Sequence, residues 1–171
     1  VREAVRTLVA YGILEIRRPE GTFVCRTFKP QTINPLIYSM ILQKKESYQD
    51  LIGLRQCIEF GTLQVIMDQG LDPEDAENLR QIAVSIEREL DEPNPDPKLI
   101  CRTDIAFHDA IAKATRNDLI VTVNEMLSKL TYGSRIRTIE QCIREHDRKY
   151  LVDIHFEILK ILEERDTDAI A

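Results

Sequence analysis

The chain of 171 residues contains no run approaching the roughly 18 consecutive apolar residues that a membrane-crossing helix requires. Its first residues also lack the charged, apolar, small-residue progression of a secretory signal. These two absences leave the cytoplasm as the expected location and no membrane among the expected partners. Cysteine is sparse and scattered: Cys25, Cys57, Cys101 and Cys142 are separated by 32, 44 and 41 residues, with no CxxC pair. That spacing excludes a local thiolate motif, and the four are expected to be reduced and mostly buried as small hydrophobes. Strand-like alternation is missing after the first 28 residues, and everything after residue 35 reads as helical.

What is present divides unevenly. Hydrophobic residues make up 43% and charged residues 30%, ordinary for one globular domain of this length, or one domain plus a fragment. The net charge of -6 argues against a protein whose whole surface grips nucleic acid. Yet residues 1–29 carry six positive and three negative side chains, a net of +3, while the remainder carries 17 and 26, a net of -9. A basic head on an acidic body points to two tasks in one chain.

In the head, Val1, Val5, Leu8 and Val9 form an apolar stripe at i, i+4, i+7 and i+8, and Gly12 supplies a stop, so residues 1–10 are expected to be a helix. No cap residue precedes it, so the chain is expected to open inside a domain. Leu14 and Ile16 then alternate with Glu15 and Arg17, "RPEG" offers turn chemistry, and Thr22, Phe23 and Val24 resume a β-rich run, the pattern of a small hairpin. Residues 29–35, "KPQTINP", read as a linker. Beyond it, apolar residues recur at helical intervals through "LIYSMILQ" and at Leu51, Leu54, Ile58, Leu63 and Ile66. Asp72 followed by Pro73 and first-turn acids is a helix start, "PNPDP" and "TRND" are breaks, and helices are expected over about 119–144 and 149–164. The fold expected is mainly α, an antiparallel bundle of six or seven helices preceded by the helix and hairpin.

The polar residues inside this pattern carry the chemistry. Asp104 and His108, at i and i+4, project from one face of a helix and can reach one ion. With His155 they form one carboxylate and two imidazoles, donors suited to Zn, Ni, Co, Mn or Fe without distinguishing among them. The residues alone also allow a surface ion pair or a cap for Asp104 and His108, and a hydrogen-bonded partly buried imidazole for His155. Arg55 can bind a carboxylate bidentately or pair with Glu59 along its own helix. His146, in "REHDRK", reads as exposed.

The stretch "VREAVRTLVAYGILEIRRPEGTFV" closely resembles the end of the winged helix-turn-helix domain of the GntR family of bacterial transcription regulators. Arg2, Glu3, Ala4, Leu8, Gly12, Leu14, Gly21, Thr22 and Val24 stand in the family's places. The resemblance implies a recognition helix and wing that touch double-stranded operator DNA through Arg2, Arg6, Arg17, Arg18, Gly21 and Thr22. It makes residues 1–28 a partial DNA-binding domain, because that domain's earlier helices precede this point.

Residues 36–171 resemble the ligand-binding FCD domain of the FadR-like branch. "DLIGLRQCIE" matches its Arg and Glu four apart, "DIAFHDAIAKATRND" its D-x3-H helix with the following Asn117, and "IHFEILKILEERDTDAIA" its last helices, with His155, Ile158, Leu159 and Asp166. The resemblance implies a divalent transition metal such as Zn or Ni held by Asp104, His108 and His155. It also implies a small organic acid effector at Arg55, with Arg135 and Tyr132 beside it, and a homodimer whose operator binding, as a repressor, the effector controls. The family's further histidine, about six turns after the position of His155, would fall past Ala171. The expectation is therefore of a C-terminally truncated domain and an incomplete site, finished by water or ligand oxygens. A metal-dependent enzyme and a metal-free structural bundle are the alternatives. Against the enzyme, no general base or nucleophile stands beside the three donors.

Overall fold

The computed structural model describes residues 2–25, 47–145 and 147–166. The linker over 29–35, the helical stretch "LIYSMILQ" and His146 lie outside the described residues. The chain forms two units, Val1–Leu54 and Arg55–Ala171.

In the first unit, α1 (Arg2–Ala10) is followed by β1 (Leu14–Arg17) and β2 (Gly21–Val24). The helix ends as the glycine predicts. Gly12 adopts φ 71, its N–H donates to the Val9 carbonyl at 3.0 Å, and the N–H of Ile13 donates to the Leu8 carbonyl at 2.9 Å. This paired arrangement satisfies carbonyls that the helix end would otherwise leave free. The strands pair antiparallel from Leu14 opposite Val24 to Arg17 opposite Gly21. Gly21 holds φ 127, a backbone state that side chains resist. Arg17 pairs with Glu15, and its guanidinium carbon lies 5.4 Å from the centroid of the Phe23 ring.

The later helices are α2 (Ser47–Gln69), α3 (Pro73–Asp91), α4 (Pro97–Ala114), α5 (Asp118–Arg144) and α6 (Arg148–Glu164). Three of them start on a side chain that accepts first-turn N–H groups: Asp72 from Glu74 and Asp96 from Lys98, each at 2.9 Å, and Asn117 from Leu119 at 3.0 Å. Proline occupies the first helical position of α3 and α4, where a missing N–H costs nothing. Packing runs in a ring: α3 on α4, α4 on α5, α5 on α6 and α6 back on α3. The apolar stripes of these four helices close around Leu79, Ile86, Leu90, Ile100, Phe107, Leu159 and Leu162, each 1% exposed or less. Residues Leu63, Ile66 and Met67 of α2 add to that core. The fold is the mainly helical bundle with one small hairpin that the sequence predicts; among the described residues, five helices follow the hairpin.

Two expectations need correction. Leu54 is exposed although it continues the apolar stripe of α2. Of the four thiols only Cys101 is buried, and Cys57 is exposed on α2, as are Phe60 and Gly61. All four cysteines are free.

Candidate metal and effector site

The inner face of α4 carries Phe107, Ile111 and Ala114 into the core, and the same helical periodicity turns Asp104 and His108 toward α6 and α2. His155 projects from α6 to meet them. One donor atom from each of Asp104, His108 and His155 lies within 4.8 Å of the other two. Phe107, with no exposure at all, packs against both imidazoles: its ring stands edge-on at 4.8 Å from that of His155 and 6.0 Å from that of His108, whose own centroids are 6.4 Å apart.

The hydrogen bonds around the imidazoles decide which nitrogens face the shared space. His155 Nδ1 is 2.6 Å from the Leu151 carbonyl, an acceptor only, so Nδ1 carries the proton and donates. Nε2 then points at Asp104 Oδ1, 3.2 Å away. In the neutral ring this sets a lone pair against a carboxylate oxygen, which is stable only with a cation between them, either a proton or a metal ion. His108 stands in a similar setting through ion-pair distances instead of hydrogen bonds. Its Nδ1 lies 3.3 Å from Glu59 Oε1 and its Nε2 lies 3.8 Å from Asp104 Oδ1. Bonds of about 2.1 Å to a tetrahedral ion would separate neighbouring donors by about 3.4 Å. The two Nε2-to-Oδ1 distances bracket that value, so the three residues fit such an ion in donor type and in the spacing of each imidazole from the carboxylate.

Charges behind the donors complete the cluster. Arg135, buried on α5, pairs through Nη1 with Asp104 Oδ2, reaches Glu59 Oε1 through Nη2 at 3.5 Å, and donates from Nε to Thr131 Oγ1 at 3.3 Å. Arg55 donates from Nε to Glu59 Oε1 at 2.7 Å. Burial alone would raise the Asp104 carboxyl, but the hydrogen bond to His155, the charge that His108 takes up in acid and the charge of Arg135 outweigh it and hold the group well below the usual carboxylate range. Burial pushes His108 down to about 4, with the Asp104 carboxylate opposing it. At neutral pH His108 is thus an uncharged imidazole, the form that ligates metals.

A pocket of about 390 Å³ adjoins the cluster. Gln56, Glu59, Thr62, His108 and Glu157 are among its polar lining residues. Ile58, Leu63, Ile111, Ile154 and Ile158 supply apolar walls, and Asn124, anchored by donating to Asp109 Oδ1 at 2.6 Å, lines it from α5.

The FCD domain model matches residues 50–171. The chain belongs to the FCD domain family of GntR-type transcription regulators. As an FCD chain it is similar to the HTH-type transcriptional regulator LutR of Bacillus subtilis, at 26% identity over 88% of this chain and 71% of that protein. It is similar to the Uxu operon regulator of Haemophilus influenzae, at 27% identity over 98% of this chain and 60% of the relative. The Glc operon transcriptional activator of Escherichia coli matches at 26% over 90% of this chain and 60% of its own length. The chain thus spans three fifths of the length of the latter two. Among solved structures, a Streptococcus agalactiae GntR superposes with a TM-score of 0.53 at 22% identity, covering 95% of this chain and 78% of that one, which shows the shared fold. The family is one of transcription regulators, which sets the enzyme alternative aside.

Within the FCD unit, the structure brings Asp104, His108, His155 and Arg135 into one cluster and joins Arg55 to it through Glu59. Tyr132 is exposed on α5, and none of Arg55, Arg135 and Tyr132 is among the residues that line the pocket. Arg2 and Arg6 on α1, and Arg17, Arg18, Gly21 and Thr22 on the hairpin, are all exposed. Sequence reasoning treated Glu59 only as a partner for Arg55 and passed over its contacts with His108 and Arg135. It also missed the polar stripe of Asn124, Ser128, Thr131 and Arg135, buried on one face of α5. The signal for that stripe was available: spacings of 4, 3 and 4 are those of a single helical face.

Proposed function

We propose that this chain serves a DNA-binding transcription regulator whose helical unit takes up a divalent transition metal and a small carboxylate effector. Asp104, His108 and His155 hold the metal, Arg55 and Arg135 receive the effector carboxylate, and Arg2, Arg6, Arg17, Arg18, Gly21 and Thr22 face double-stranded operator DNA. The protein works as a cytoplasmic homodimer, in which effector binding favours one placement of the two heads over another and so changes the fit to paired half-sites.

The observation that carries the metal is the convergence of His155 Nε2 and His108 Nε2 on Asp104 Oδ1 while each Nδ1 faces its own acceptor. Charge supports an anionic effector. With neutral imidazoles, Asp104 and Glu59 balance Arg55 and Arg135, so a divalent ion would add a surplus of two positive charges in a largely buried place. A bound metal supplies two positive charges and open coordination positions for oxygen ligands. An anion entering from the pocket offsets the surplus charge, and the guanidinium of Arg55 offers the fork geometry that a carboxylate matches.

One observation favours a metal-free reading: Arg135 already pairs with Asp104, and a proton on His155 Nε2 would satisfy the remaining contact. Elemental analysis separates the two. Protein purified from metal-supplemented medium is expected to carry about one equivalent of metal, lost in Asp104→Ala and in His108→Ala. Equal metal content in wild type and both variants would refute the metal. A gel-shift titration with operator DNA, with and without candidate carboxylates, tests the regulatory half, and DNA affinity indifferent to every metal-dependent ligand would count against it.

A further inference from the structure

Glu59 stands outside the donor set, yet it touches more of the cluster than any residue except Asp104. A single oxygen, Oε1, accepts from Arg55 Nε at 2.7 Å and lies 3.5 Å from Arg135 Nη2 and 3.3 Å from His108 Nδ1. Three cationic or donor groups from three helices, α2, α4 and α5, therefore converge on one carboxylate. An intrahelical pair with Arg55 would require only the first contact.

The contact with His108 has a chemical consequence. A neutral imidazole carries one proton, on either Nδ1 or Nε2, and the nitrogen without it is the one able to ligate a metal. His155 resolves this choice with a backbone carbonyl, because Nδ1 donates to Leu151. Its helical i-4 carbonyl is always present and fixes the ring without help. For His108 the structure shows no hydrogen bond to a carbonyl, and the group facing Nδ1 is the Glu59 carboxylate, at an ion-pair distance of 3.3 Å. A carboxylate there draws the proton to Nδ1, leaves the Nε2 lone pair aimed at the space shared with Asp104 and His155, and raises the basicity of that lone pair.

We infer that Glu59 is a positioning residue for the metal: it holds His108 in the Nδ1–H tautomer, and Arg55 and Arg135 hold Glu59 in place. This rests on the metal reading above and assigns a role to a residue outside the three ligands. The arginines matter because an unsupported glutamate on α2 has several rotamers, whereas one pinned from two sides presents the same oxygen to His108 at all times. The side chain is 28% exposed and borders the pocket, so its replacement by an isosteric amide leaves the packed core untouched.

The test uses the whole chain, stripped of metal, with Zn(II) and Co(II) as probes. Competition titration against a chromophoric chelator is expected to give Glu59→Gln a metal affinity about 10–100-fold below wild type, with circular dichroism unchanged. His108→Ala, which removes the ligand itself, should lose more. The Co(II) absorption spectrum of Glu59→Gln should also shift, which a purely structural role would not produce. Independently of any variant, 15N-resolved NMR of the metal-free wild type is expected to show His108 protonated on Nδ1. Wild-type affinity in Glu59→Gln, or an Nε2–H tautomer for His108 in the wild type, overturns the role of Glu59 while leaving the metal site standing. A wild type whose titration matches those of His108→Ala and Asp104→Ala removes the metal reading and this inference with it. Should Glu59→Gln fail to fold, the tautomer of the wild-type ring still decides.

Discussion

The helix and hairpin of residues 2–25 and the FCD unit are held together by different means. In the first, α1 has no buried residue and every position of β2 is exposed. Its order comes from neighbours in sequence: a glycine-terminated helix, a four-pair ladder, and Arg17 lying over Phe23. In the second, residues tens of positions apart meet without exposure, and the buried charges of the cluster are paired with one another. Asp104 meets Arg135 across 31 residues and His155 across 51. A segment stabilised locally can offer its side chains to a partner, whereas a cluster stabilised globally can hold charges that water would otherwise screen.

This contrast has measurable consequences. The largest concerns an aromatic ring in each region. Phe107→Ala is expected to destabilise the FCD unit by roughly 3–5 kcal/mol in urea denaturation, and to lower metal affinity because both imidazoles lose the ring they pack against. Phe23→Ala, on an exposed strand, should leave the same transition within about 0.5 kcal/mol. Equal effects would erase the distinction.

Ion pairs give the next comparison. Asp104→Ala leaves the Arg135 guanidinium, whose side chain is only 4% exposed, without its carboxylate. Metal-free protein should lose about 3 kcal/mol. Arg17→Ala breaks an exposed pair in the hairpin and should cost about 0.5 kcal/mol or less, read as faster hydrogen exchange confined to residues 14–24.

Acid should act on the FCD unit in a defined window. The folded value of His108, about 4, lies below its unfolded value of about 6.5, so the unfolded chain binds the proton more readily. The stabilising contribution is present above pH 6.5 and is lost as pH falls toward 4. Asp104, also depressed, adds its own loss once pH falls through and below the ordinary aspartate range. Denaturation midpoints of metal-free wild type should therefore drop between pH 7 and 4, and less so in His108→Ala. A flat profile in wild type would mean that His108 is not buried as a neutral ring.

The smallest effect distinguishes satisfied from unsatisfied polar groups. Ser128 Oγ is buried without a hydrogen-bond partner among the described residues. Ser128→Ala should then be neutral or stabilising by up to about 1 kcal/mol. A clear destabilisation would reveal a partner for that hydroxyl.

Much of this was legible in the sequence. The cap Asp72 and the stop at Gly12 act through atoms within a few residues, so composition and order fix them. The pairing of Asp104 with His108 follows from helical spacing alone. Arg135 was nameable only as a weaker candidate beside Tyr132. Three positions apart on α5, they fall one on the buried polar stripe and the other on the exposed side, and no local signal separates them. Cys57 and Leu54 were misjudged for the same reason: an apolar residue on a helix is buried only if another helix covers that side.

The sequence by itself determined the helices, their ends, the hairpin and the family, because each depends on short-range hydrogen bonding, backbone preference or an ordered motif. Only the tertiary structure decided that His155 faces Asp104, that Arg135 neutralises the same carboxylate, and that Glu59 belongs to the cluster rather than to Arg55 alone. These relations depend on the ring of α3, α4, α5 and α6 closing and on where α2 lies against it. The low-dielectric interior so formed gives the distances between distant charges their force.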